Sequence, residues 1–302
     1  MKIISIGEVL WDVIGDPEHL GGAPLNFAAH TESLGHTVFF VSAVGEDERG
    51  LQILKSMEEL DLSTRYVRRV QGHLTSVVTV TLEPSGQPRF VIHRPAAYDF
   101  PTLTRFEIDE LVSTRPDWIY FGTLLQMSPP AKELTLKPIE ANSQARFFYD
   151  VNLRVNCYEP SLLRELISRA TVAKLNEDEA RLVGGILGLP CHAMQEFCRG
   201  CAATFGLEAI CVTRGPKGCA LLLGNKFIEA DGYKVKVVDA VGAGDAFAAA
   251  FVHGLGSGSS PQEIADFAYR VGTLIARRAG AIPPWTIEEA RALSPQVKMP
   301  SD

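Results

Sequence analysis

Along this chain, short apolar runs alternate with stretches in which apolar residues recur every three or four positions. Lys2–Val9 reads as a first strand. Gly21-Gly22-Ala23-Pro24-Leu25-Asn26 then opens a helix that Gly35 ends. HTVFFVSAV is a second strand running to Gly45, and Asp47 starts a helix through Leu60 with Leu51, Leu54 and Met57 on one face. Residues 66–100 differ. SVVTVTLEPSGQPRFVI alternates about the turn Pro84-Ser85-Gly86, which predicts a hairpin outside the main sheet. DWIYFGTLL, ARFFYDVNLR, TVAKLNEDEA, AICVTRG and CALLLG follow as strand-like segments, with helical patterns between several of them. Repeated strand–helix alternation predicts a largely parallel sheet covered on both faces, in one domain spanning 1–302.

The stretch Val235–Phe251 organises the chain. Val235, Val237 and Val238 are β-branched and predict a strand. Gly242 and Gly244 predict a sharp turn with close approach to a ligand. From Asp245 the period becomes helical, with Phe247, Phe251 and Leu255 four residues apart. The N-terminus of such a helix can hold an anion. Asp245 beside an anion calls for a task, such as taking a proton from an attacking hydroxyl; an N-capping Asp after a glycine turn is the plainer alternative.

Composition narrows the field. Of 302 residues, 22% are charged and 46% belong to the hydrophobic set, which describes an ordinary globular protein. A formal net charge of −7 without basic runs argues against nucleic acid as a partner. No apolar stretch reaches membrane-spanning length, and Glu8 and Asp12 interrupt the apolar N-terminus, so a cytoplasmic location is expected. The cysteines are Cys157, Cys191, Cys198, Cys201, Cys211 and Cys219. Cys198-x-x-Cys201, with Cys191 and His192 upstream, has a zinc-like spacing. It falls in a helical pattern with no second pair, so reduced thiols are expected.

Several chemistries are excluded. There is no GxxxxGK[ST] and no GxSxG, and in Gly242-Ala243-Gly244-Asp245-Ala246-Phe247 the third dinucleotide glycine is replaced by Phe247. In doubly wound sheets ligands bind beyond the carboxyl ends of the strands. Asp12, Asp150-x-Asn152-x-Arg154, Lys174-x-Asn176-x-x-Glu179, Arg214 and Asp245 fall at such ends.

These residues resemble the ribokinase-like, or PfkB, family of carbohydrate kinases. Gly21–Asn26 resembles its N-terminal signature and Asp239–Phe247 its C-terminal one. Asn176-x-x-Glu179 and Thr213-Arg214-Gly215-Pro216-Lys217-Gly218 lie between them. Ala240 stands where the family commonly has Thr. The resemblance implies a three-layer α/β/α sandwich with a mostly parallel sheet and a small β-sheet lid, here from segments near 10–21 and 66–100. It implies ATP-dependent phosphorylation of a sugar hydroxyl with Mg²⁺, in some members with K⁺, and a homodimer formed through the lid.

Roles follow from that resemblance. Asp245 is the expected base, with the N–H groups of Ala243, Gly244 and Asp245 after Gly242 as the anion hole. Asp12, Gly21, Gly22, Asn26, Asn152 and Arg154 are expected at the sugar. Lys174, Asn176, Glu179, Thr213, Arg214, Gly215 and Gly218 are expected at ATP, with Asn176 and Glu179 reaching Mg²⁺ through water. The alternatives are a strand-end cap for Asp12, a helix cap for Asn26, a solvated helix start at NEDEA, a surface turn at Arg214 and a structural ion pair at Arg154. Asp239, the carbonyl of Val241 and Gly280 match a monovalent-cation position. GEVLWD, GGAPLNFAAH and RPAAYDF resemble bacterial fructokinases more than ribokinases or nucleoside kinases. Fructose phosphorylated at a primary hydroxyl is therefore the expected reaction. Arg94 leaves open an acidic sugar such as 2-keto-3-deoxygluconate, or a flap residue facing water; ribose is the other sugar alternative. A catalytically silent sugar or nucleotide sensor and a dinucleotide oxidoreductase are the readings from other classes.

Overall fold

The computed structural model describes residues 1–13, 18–82, 88–142, 144–233 and 235–294. The chain divides into two compact units, the first essentially residues 1–145 and the second 146–302.

In the first unit, β1 (Lys2–Ile6) lies between β4 (Thr37–Gly45) and β8 (Trp118–Gly122), and β5 (Val67–Val70) extends the sheet beside β4. All of these pairings are parallel. A second, four-stranded sheet has the order β3 (His19–Gly21), β2 (Leu10–Val13), β6 (Ser76–Leu82) and β7 (Pro88–Ile92). The segment 66–100 therefore divides: β5 joins the parallel sheet, and β6 pairs antiparallel with β7 in the small one. Pro84, Ser85 and Gly86 lie outside the described residues.

Helix α1 (Ala23–Ser33) is buried nearly all round, from Ala23 to Thr31, and Phe27 stacks on Tyr120 at 3.9 Å between ring centroids. α2 (Glu48–Glu59) starts where Asp47 accepts the Gly50 N–H at 2.8 Å. Its buried face is Gly50, Ile53 and Met57, not the predicted Leu51–Leu54–Met57 stripe. Leu51 is 52% exposed, because the helix turns about 100° per residue and Ile53 takes the inward position. α3 (Arg105–Ser113), α4 (Thr123–Gln126) and α5 (Pro129–Ala141) complete the unit.

In the second unit, β9 (Arg146–Asp150), β10 (Val172–Asn176) and β11 (Ala209–Thr213) are parallel neighbours. β12 (Cys219–Leu223) and β13 (Lys226–Ala230) continue from β11 as an antiparallel edge, departing from the parallel pattern expected of CALLLG. The tight Arg214–Gly218 turn leaves no room for the helix that a parallel crossover needs. The helices are α6 (Pro160–Arg169), α7 (Glu177–Leu187), α8 (Met194–Phe205), α9 (Ala243–Gly256), α10 (Pro261–Ala276) and α11 (Ile287–Ala292). Cys198 and Cys201 are buried on α8, and all six cysteines are free thiols.

The strand predicted at Val235–Val238 does not form. The segment runs as an extended loop, with Val237 and Val238 more than half exposed and the Val238 N–H bonded to the Ala276 carbonyl at 2.9 Å. β-Branched residues suit any extended backbone, so their propensity alone does not require a pairing partner. The helix that follows is as read: Phe247 and Phe251 are buried, with Ala246 through Val252 uninterrupted in the core. Among the described residues no helix is long and apolar enough to cross a membrane.

Candidate active site

In the second unit the focus is the N-terminus of α9. Gly242 has φ 75°, and a Cβ there would meet the Ala281 carbonyl at 2.4 Å, so only glycine fits. Gly244 is different. Its Cβ would meet only Lys174 Nζ, at 3.8 Å. Asp245, half-buried, occupies the first turn. Its N–H turns back to the Gly242 carbonyl at 3.1 Å, and that of Ala243 reaches Ala240 only at 3.4 Å. Of the expected anion-hole donors, the Asp245 N–H is thus more firmly bonded within the turn than that of Ala243.

Beneath this turn lies a buried ion pair. Lys174 and Asp150 face each other in register on β10 and β9, with Nζ 3.0 Å from each carboxylate oxygen. Burial alone would depress the lysine, but the Asp150, Glu179 and Asp245 carboxylates outweigh it and hold the ammonium above its ordinary value. Lys174 is therefore a fixed cation. The sequence set Asp150 among the polar residues at strand ends but gave it no role.

Asn176 caps α7. Its Oδ1 accepts the Glu179 N–H at 2.8 Å, while Glu179 Oε2 accepts the Asn176 N–H and Oε1 the Leu153 N–H, each at 2.8 Å. Burial pushes Glu179 up, partly offset by these N–H groups and by the charge of Lys174. Each carboxylate oxygen keeps a further lone pair, so the donor set still suits a water held by Mg²⁺.

The remaining expected residues sort by partner. β9 ends at Asp150, so strand alternation does not orient Asn152 and Arg154; instead Arg154 donates to Asn152 Oδ1 at 2.7 Å. Arg214 is committed to Glu229 at 2.6 Å. Thr213 donates to the Leu175 carbonyl at 3.4 Å, and Tyr269 on α10 bonds the Gly215 carbonyl at 2.6 Å. Gly218, at φ 93°, closes the turn against Ala230. Neither Glu229 nor Tyr269 carried a signal in the sequence, because each meets the turn from a distant segment. Asp239 gathers the cation candidates: its oxygens accept the Val241 N–H at 3.0 Å and the Gly280 N–H at 3.1 Å. Each Asp239 oxygen thus already accepts a backbone N–H and keeps a further lone pair.

In the first unit Asp12 is half-buried on β2, and a Cβ on Gly21 would meet its Oδ2 at 2.4 Å. Gly22 (φ 112°) lies against the Glu8 carbonyl, and Asn26 sits inside α1 with its N–H on the Gly22 carbonyl at 2.9 Å. Asn26 is therefore not the helix cap. Its side chain is buried inside the helix. Arg94 does not face water: it is bound to Asp99 and to the Leu124 carbonyl.

A βα sheet with a small second sheet and a glycine-turn helix over a fixed cation is the frame of a phosphoryl-transfer enzyme acting on small molecules. The chain belongs to the PfkB family of carbohydrate kinases, which it matches over residues 2–288. It is 28% identical to the fructokinase of Escherichia coli over 301 residues, covering 93% of this chain and 95% of that protein. Among solved structures it is similar to a fructokinase from Xylella fastidiosa with bound ATP, with TM-score 0.84, 24% identity and coverage of 96% and 97% of the two chains. It is also similar to 2-dehydro-3-deoxygluconokinase from Thermotoga maritima, with TM-score 0.82, 18% identity and coverage of 96% and 98%. The fold is thus the ribokinase-like α/β fold expected from the sequence.

Proposed function

We propose that this carbohydrate kinase transfers the γ-phosphoryl of ATP to a primary hydroxyl of fructose, giving fructose 6-phosphate. The observation that carries the transfer is the α9 N-terminus, where Asp245 and the exposed backbone of Gly244 stand beside the buried Lys174 ammonium. In this reading Asp245 accepts the proton of the attacking hydroxyl, the hydroxyl oxygen bonds to the γ-phosphorus, and ADP leaves. The N–H groups of Ala243 and Gly244 and the Lys174 charge face the developing negative charge. Asn176 and Glu179 would orient Mg²⁺ through water, and Mg²⁺ would supply charge neutralisation on the phosphates. Asp239, Val241 and Gly280 would hold K⁺ beside the turn. Asp12, Gly21, Gly22 and Asn26 offer donors and acceptors to a neutral polyol.

Fructose is supported by the likeness to the Escherichia coli fructokinase across nearly the whole of both chains. The test is ATP consumption with fructose, ribose, 2-keto-3-deoxygluconate, adenosine and fructose 6-phosphate side by side, in the native enzyme and in Asp245→Asn. Fructose should give the highest kcat/KM, and the variant should lose about 10²–10⁴-fold in rate with sugar binding retained. Any other acceptor exceeding fructose by about tenfold would overturn the choice of sugar. Near-normal turnover in Asp245→Asn would overturn the role of the base.

A further inference from the structure

The first turn of α2 holds the small sheet by two contacts of different kinds. At the base of β6, Asp47 Oδ1 accepts the Thr75 hydroxyl and Oδ2 the Thr75 N–H, each at 2.7 Å, and the Gly45 N–H donates to the same hydroxyl oxygen at 2.9 Å. Thr75 is buried, and a Cβ on Gly45 would meet its nitrogen at 2.7 Å, so this contact has no room to slide. The second contact is looser. Arg49 donates through Nε and Nη2 to the two oxygens of Glu18, at 3.0 and 2.6 Å, and its carbonyl accepts the Trp11 indole N–H at 3.1 Å. The side chains of Arg49 and Glu18 are 44% and 35% exposed, so water and salt compete for the pair.

What Arg49 grips is the β2–β3 pair. Glu18 immediately precedes β3, and Trp11 lies in β2. β3 has three residues and stands at the edge of the sheet, and its ladder partner among the described residues is β2 alone. Between the sheet and α2, Trp11, Val77 and Val91 border a cavity of about 1060 Å³ that Asp47 and Arg49 also line. The sheet thus has no packed floor there, and its position depends on the contacts at the α2 turn. Successive strand residues point to opposite faces. Trp11 is turned to α2, so Asp12 is set on the far face, with Oδ2 against Gly21.

We propose that Arg49 is a positioning residue for the acceptor sugar: through Glu18 and Trp11 it braces the β2–β3 pair and so keeps Asp12 and Gly21 in place. The proposal rests on the kinase reading above, which sets those two residues at the sugar. With the brace released, fructose meets a strand pair that is in position only part of the time, and its affinity falls by that fraction. Saturating sugar restores the position, so the transfer step itself is unchanged.

The experiment compares the native enzyme with Arg49→Gln, Glu18→Gln and the exchanged pair Arg49→Glu/Glu18→Arg. Each single variant should raise the KM for fructose about two- to fivefold, the factor an exposed ion pair carries, with kcat and the KM for ATP retained. The exchanged pair should return toward the native value. Fructose carries no charge, so its calorimetric Kd without nucleotide should rise with salt in the native enzyme, through screening of the brace, and stay level in Arg49→Gln. Acrylamide quenching reads the strand pair directly, because Trp118 and Trp285 are buried and Trp11 is half-buried; it should increase in both single variants. A native KM for fructose in Arg49→Gln overturns the proposal, and so does an exchanged pair as impaired as either single variant. Loss of kcat and Tm with the KM unmoved, the mark of a merely structural role, overturns it as well. Absence of ATP turnover with every sugar in the native enzyme would instead count against the kinase reading. The quenching still decides the brace, which is overturned if Arg49→Gln is quenched no more than the native protein.

Discussion

The Lys174 ammonium lies 3.0 Å from both oxygens of Asp150, and neither side chain is more than 8% exposed. Breaking such a pair from one side leaves a buried charge without its partner. Lys174→Met should therefore lower stability by about 3–5 kcal/mol, read from urea unfolding. Adding Asp150→Leu should recover most of that loss, because two well-packed apolar residues can replace a buried pair. Turnover should stay low in the double variant, since the cation beside Gly244 is still missing. A stable double variant with native kcat would show that the pair serves the fold alone.

The two glycines at the head of α9 should separate structure from function. Gly242→Ala forces a Cβ into the Ala281 backbone at positive φ and should cost more than about 1 kcal/mol, seen as a lower Tm. Gly244→Ala meets only the end of Lys174 and should leave Tm nearly unchanged. If the phosphoryl group packs on the bare Gly244 backbone as proposed, the added methyl group displaces it and kcat/KM should fall about 10²-fold. Unfolding of Gly244→Ala in circular dichroism would assign that glycine to the fold.

Glu107 links stability to pH. Its carboxylate binds Arg68 and both the hydroxyl and the N–H of Thr104, which hold its pKa at about 2 against an ordinary 4.5. A depressed carboxylate stabilises the folded state above the unfolded value and loses that contribution as pH falls through the folded one. The Tm difference between the native protein and Glu107→Gln should be full at neutral pH. It should shrink below about pH 4.5 and vanish near pH 2. A difference independent of pH would place the effect in packing.

The cysteines should react in order of burial. Burial pushes Cys198 and Cys201 up to about 12, while Cys191 is exposed and Cys157 half-buried. A thiol-specific disulfide reagent should titrate Cys191 at once and Cys157 more slowly. Cys198, Cys201, Cys211 and Cys219 should react only after denaturant is added. Rapid labelling of a cysteine on α8 in the folded protein would contradict that order.

Local features were legible in the sequence where the interaction itself is local. Asp47, Asn176 with Glu179, and the Gly242 turn each complete their hydrogen bonds within a few residues, so spacing alone announced them. Features that depend on register were not. Asp150 meets Lys174 only because β9 and β10 pair as they do. Arg94 had two readings in the sequence, facing a substrate acid or facing water, and a third is realised through Asp99 and the Leu124 carbonyl. Val235–Val238 was misread because strand-forming residues also suit an extended loop, and only the neighbouring chain decides whether a ladder forms.

Helix α9 is enclosed on every side from Ala246 to Val252. Its first turn therefore keeps its orientation before any substrate arrives, and the ordering of the anion site is met during folding, not during the reaction. In the proposed reaction, reorganisation energy at the phosphoryl group would be correspondingly small. This ties rate to core packing: trimming Phe251, which touches no reacting atom, would loosen the scaffold that aims Asp245, so turnover and thermal stability should decline together along a series of smaller residues at that position.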